Sequence, residues 1–159
     1  MRRLARDLGA ELELLEVLAA EVQGVSTRPL PLGQEACAYL AWKLHGWYTA
    51  LESLLERIAR TVEGAVPAGP TFHRDLPRGM TLPLPEIRPA VLRAGVLREL
   101  AELLAFRHFL RHAYAVPLDE ALLRHHGARI ERVAPQVRED VEAFVQVLLG
   151  WAGELEGRD

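Results

Sequence analysis

Asparagine does not occur among the 159 residues, cysteine occurs once (Cys37), and only one of the 19 basic residues is lysine, Lys43. A lone cysteine excludes a disulfide within the chain and fits a reducing compartment, with Cys37 a small helix-packing residue. The arginine bias and the missing asparagine fit a heat-adapted source and equally a GC-rich genome. No apolar run approaches the roughly 18 residues that a membrane-spanning helix requires. Met1-Arg2-Arg3 leads into an acid-rich segment instead of a signal-peptide core. The expectation is a soluble, cytoplasmic protein with no membrane partner. A formal net charge of -3 and a pI near 6.1 exclude a globally basic nucleic-acid coat, while a local cationic patch still permits RNA contact. The phosphate-cradling P-loop, the dinucleotide glycine fingerprint, the Gly-x-Ser-x-Gly elbow and the His-Glu-x-x-His string are all absent, which removes several common enzyme classes. There is no internal repeat, no low-complexity segment and no stretch that reads as a strand.

What remains is helical periodicity. Half the composition is hydrophobic, enough for a single domain over residues 1–159 that buries its own core or shares one with a second protomer. Leu8, Leu12, Leu15, Ala19 and Val22 recur at steps of four and three, predicting a helix over residues 2–24 that Gly24 and Ser26-Thr27-Arg28-Pro29 stop. Leu40, Leu44, Trp47, Leu51, Leu54 and Ile58 form a second such seam over residues 34–64, with Trp42, His45 and Tyr48 beside it as flank or interface residues. Residues 65–90 carry six prolines and two glycines, with Gly64 just before them, and cannot form a long uninterrupted helix. Within them Phe72-His73-Arg74-Asp75-Leu76 fits one helical turn, and His73 and Arg74 are candidates to line an RNA path. Asp119 is a plausible N-cap for a last helix. Pro135 ends or kinks that helix before Val137, Val141, Phe144, Leu148, Trp151 and Leu155 resume the seam. The fold class is all-α, an up-and-down bundle of about four long helices with one long Pro-rich loop.

The chemistry is concentrated in Arg107-His108-Phe109-Leu110-Arg111-His112-Ala113-Tyr114, late in a helix over residues 98–113. At about 100° per residue, Leu103, Phe106, Phe109, Leu110 and Ala113 fall in one arc, and Arg107, His108, Arg111 and His112 in the opposite one. Tyr114 returns to within about 20° of Arg107. Arginine's planar fork matches phosphate and histidine exchanges protons near neutrality, so this face suits metal-free phosphodiester chemistry. A solvated helix face with a few exposed cations is the plain alternative. Helical zinc binding by His108 and His112 lacks the accompanying Glu-x-x-His spacing, so no metal and no cofactor is expected.

Arg107-x4-His112-x-Tyr114 resembles the R-x4-H-x-Y signature of the HepT toxins within the HEPN ribonuclease superfamily, and His108 fits the polar position after the arginine, where the Asn common in HepT itself is absent. The resemblance covers the whole chain: two long helices, a Pro-rich loop, the motif helix and a Pro-punctuated final helix. It implies a HEPN-like helical fold and a homodimer whose paired motif helices form a cleft for RNA, tRNA among the family's substrates. It implies an endoribonuclease with Arg107 stabilising the phosphate, His112 transferring the proton and His108 assisting, with Arg111, His73 and Arg74 as possible RNA contacts. It further implies the toxin half of a type VII toxin-antitoxin pair, whose partner, an MntA-type nucleotidyltransferase, silences it by AMPylating Tyr114. The competing expectation is a catalytically silent HEPN-like dimeric scaffold for a nucleotidyltransferase.

Overall fold

A computed structural model describes residues 1–112 and 117–156, with the side chains of His112, Leu155 and Glu156 outside that description. Five α-helices follow in order: α1 Arg2–Ser26, α2 Gln34–Ile58, α3 Phe72–Met80, α4 Leu97–His112 and α5 Glu120–Glu156. Among the described residues there is no strand, only an isolated bridge between Leu84 and Arg88. The expected all-α bundle is the observed one. No helix among the described residues is long and apolar enough to cross a membrane.

The periodic seams are the core. Leu8, Leu12 and Leu15 of α1, Leu44, Trp47, Leu51 and Leu54 of α2, and Val137, Val141, Phe144 and Leu148 of α5 are all buried. Full burial stabilises each such side chain by roughly 1.5–3 kcal/mol. α1 packs against both α5 and α2, and at Gly127 the approach of α5 to α1 is close enough that a Cβ there would stand 2.9 Å from Ser26 Cβ. Glycine is required at that crossing because any side chain would push the helices apart.

Two breakers, Gly24 and the proline read as an end or a kink, do not end their helices. α1 continues through Gly24 to Ser26, and the Thr27 hydroxyl closes it by donating to the Gln23 carbonyl at 2.8 Å. α5 continues through Pro135. Proline removes one N–H from the ladder, but Val133 and Val137 on either side are buried, and this packing outweighs the lost bond. Asp119 caps α5 as expected, its Oδ1 accepting from the N–H of Ala121 at 2.8 Å. α2 ends in a π-helical turn, Ala59–Glu63, closed by Gly64 at φ 75°, a left-handed conformation that glycine adopts without steric cost.

The Pro-rich connection is more ordered than its breakers suggest. α3 spans nine residues, and its Leu76 and Met80 are buried where α3 packs on α2 and α4. The Met80 carbonyl accepts from the amides of Val91 and Leu92. Arg88, 4% exposed, fastens the rest: its guanidinium donates to Glu63 Oε1 at 2.7 Å and to the carbonyls of Leu82, Pro89 and Gly79. Arg93 then ties the approach to α4 onto Asp140 and Glu139 of α5. The consequence is a fixed α2–α3–α4 triangle, and the site lies inside it.

Candidate functional site

α4 buries Leu100, Leu103 and Leu104, a spacing that continues at position 107. Arg107 therefore enters the interior and is only 8% exposed. This corrects the expectation that Arg107 stands with His108 on an open polar face. The arc drawn from Leu103, Phe106, Phe109 and Leu110 omitted Leu100 and Leu104, whose stripe runs straight to Arg107. Phe109, expected to pack, is 43% exposed instead, and Phe106 is stacked on His126 of α5 with ring centroids 4.1 Å apart.

The partner of Arg107 is Glu52 of α2, also buried. Arg107 Nη1 donates to both carboxylate oxygens, each at 3.3 Å, and the guanidinium lies 5.7 Å from the centroid of the Tyr48 ring. The same carboxylate accepts from His73 Nδ1 at 2.6 Å. Tyr48 donates its hydroxyl to the His73 carbonyl at 3.4 Å. His73 meets the exposed His108 edge to face, centroids 5.9 Å apart. Three helices thus deliver Tyr48 and Glu52 (α2), His73 (α3), and Arg107 and His108 (α4) to one cluster. Burial is what makes the pairing necessary, because an isolated carboxylate or guanidinium there would carry a desolvation penalty of several kcal/mol.

Burial first, and then the Glu52 charge, raise the Tyr48 hydroxyl well above the ordinary tyrosine range, so it stays protonated and acts as a donor. Burial, then the charges of Arg107 and Arg111, hold His45 below the usual imidazole range. His45 and the exposed Arg111 border a cavity of about 830 Å³ that Trp42, Cys37 and Leu110 also line. Trp42 is 66% exposed there.

Of the residues singled out in the sequence, Arg107, His108 and His73 come together, and Arg111 stands apart at the cavity mouth. Arg74 is exposed and paired with Asp75 at 3.5 Å. His112 is the last residue of α4, four positions and so one turn past His108, but its side chain and all of Tyr114 lie outside the described residues. Glu52 escaped the sequence reading. Its signal is present: it follows Tyr48 by four positions and precedes Leu55 by three, which places it on the buried stripe of α2. Among the described residues no group of three or more His, Cys, Asp or Glu side chains is arranged to hold a metal ion.

No curated protein and no solved structure matches the chain at a significant level. A family model described as HepT-like protein matches residues 39–148, well over half of the chain and every residue of the cluster. With its helical fold and with Arg107 and His112 on α4, the chain belongs to the HepT-like proteins of the HEPN superfamily.

Proposed function

We propose that this protein is a metal-independent endoribonuclease, the toxin of a HepT/MntA-like toxin-antitoxin pair. The observation that carries the reading is the convergence of Arg107 and His73 on one buried carboxylate, with His108 against the His73 ring and one helical turn from His112. Glu52 holds the Arg107 fork in a single orientation, so little rotamer freedom is lost when a phosphate approaches. Arg107 stabilises the charge that develops on phosphorus, and His112 takes the proton of the ribose 2′-hydroxyl. The products are a 2′,3′-cyclic phosphate and a 5′-hydroxyl. Two protomers pair through exposed apolar side chains, Trp42 and Phe109 among them, and offer the RNA two copies of the motif. AMPylation of Tyr114 by the nucleotidyltransferase partner silences the enzyme by adding negative charge and bulk beside the phosphate site.

One observation favours a second reading. Arg107 is buried and already paired with Glu52, which suits a silent scaffold that keeps the motif arginine for stability. Induced expression separates the two. The nuclease reading expects growth arrest and RNA cleavage from the wild type, and loss of both in His112→Ala and Arg107→Ala. If the wild type cuts no RNA and both variants behave as it does, the scaffold reading stands.

A further inference from the structure

A ribonuclease of this type moves two protons. One leaves the 2′-hydroxyl as the 2′-oxygen bonds to phosphorus, and one must reach the 5′-oxygen as its bond to phosphorus breaks. The attacking and leaving oxygens lie roughly in line on opposite sides of phosphorus, so one imidazole cannot sit beside both. Resting on the reading above, with His112 as the base, we propose that His73 is the second catalytic residue, the acid that protonates the leaving 5′-oxygen, with Glu52 as its positioning residue.

His73 sits on α3, outside the motif helix, and its Nδ1 lies 2.6 Å from Glu52 Oε2. An ionised carboxylate can only accept. Nδ1–H therefore donates to Glu52, and in the imidazolium form, the one that acts as the acid, the transferable proton is the one on Nε2. The Glu52 carboxylate is itself pinned by Arg107, and the His73 backbone is fixed by Tyr48. This carboxylate–imidazole arrangement orients a proton donor in two ways that packing alone does not need. His73 is also partly open, its side chain 30% exposed, whereas Glu52 beneath it is 9% exposed.

The helix spacing supplies the second half of the argument. His73 touches His108, and His112 follows His108 by one turn, about 6 Å along the axis. A phosphate seated over that turn has His73 at one end and the His112 position at the other. In the step, His112 accepts the 2′-hydroxyl proton, the 2′-oxygen–phosphorus bond forms, the phosphorus–5′-oxygen bond breaks, and the Nε2 proton of His73 passes to the 5′-oxygen. Nothing is oxidised or reduced, and no co-reactant is consumed.

The test uses the full-length protein and an oligoribonucleotide spanning a cleavage site mapped on bulk tRNA. One version carries the normal 5′-oxygen and the other a 5′-bridging sulfur, which departs as a thiolate without protonation. His73→Gln retains an N–H for Glu52, and circular dichroism with a thermal melt verifies its fold. The expected result is a loss of about 100-fold or more on the oxygen substrate, the range of general acid catalysis, and less than about threefold on the sulfur substrate. His112→Ala loses both. Equal loss on both substrates in His73→Gln makes His73 merely structural and overturns the proposal, as does unchanged cleavage of the oxygen substrate. A wild type that cuts neither substrate overturns the nuclease reading itself, and the proposal falls with it.

Discussion

At position 107, α4 places a guanidinium where Leu100, Leu103 and Leu104 predict a hydrophobe. The residue types and their spacing were legible in the sequence; the depth of the arginine was not, because its partner lies 55 positions away on α2. Only tertiary contact makes Glu52 visible as a site residue. His126 illustrates the same limit. Its ring is buried against Phe106, its Nδ1 has no partner among the described residues, and burial, followed by the charges of Arg129 and His125, lowers its pKa to about 4. The folded value lies below the ordinary imidazole value near 6.5, so as pH falls the unfolded chain takes up the proton first. The neutral ring therefore supports the fold fully above about pH 6.5, and that support is lost as pH falls toward 4, on the order of 2 kcal/mol in all. His126→Phe, which keeps a ring on Phe106, should show a shallower decline of melting temperature over that window than the wild type. Parallel pH profiles would contradict this assignment.

At the scale of elements, the seams of α1, α2 and α5 were readable because a 4-3 repeat of leucine, valine and alanine has one physical outcome in water. Breakers were read less well. Gly24 signals a helix end and Pro135 an end or a kink, yet α1 and α5 continue through both, since packing on neighbouring helices outweighs local propensity. In the loop over residues 65–90 only the first turn of α3, Phe72 to Leu76, was legible, because nine residues with an internal proline give too short a pattern. The loop's order depends on Arg88, which serves one carboxylate and three carbonyls at once. Arg88→Ala removes a buried charge from Glu63 and leaves those carbonyls without their donor. Urea denaturation should report a loss of about 3–5 kcal/mol, accompanied by faster hydrogen exchange at the Val91 and Leu92 amides. A loss under about 1 kcal/mol would mean that the loop is held by its apolar anchors alone.

For the whole molecule, the bundle exists to bring three separated segments into register. α2 supplies the carboxylate, α3 the histidine that shares it, and α4 the motif. The apolar contacts of Leu76, Met80, Leu100 and Leu103 hold that register, and the Arg93 and Arg129 bridges fix the N-terminal half of α4 and its approach to α5. The family and the motif could be read from the chain directly, whereas the assembly of Tyr48, Glu52 and His73 beneath Arg107 needed the fold. Whether that assembly cuts RNA is read most directly from the ends it leaves. Purified protein is incubated with bulk tRNA in excess chelator, and the product termini are determined by mass spectrometry. The account predicts 2′,3′-cyclic phosphate and 5′-hydroxyl ends from the wild type and none from Arg107→Ala. Intact tRNA, or 3′-hydroxyl and 5′-phosphate ends, would contradict it.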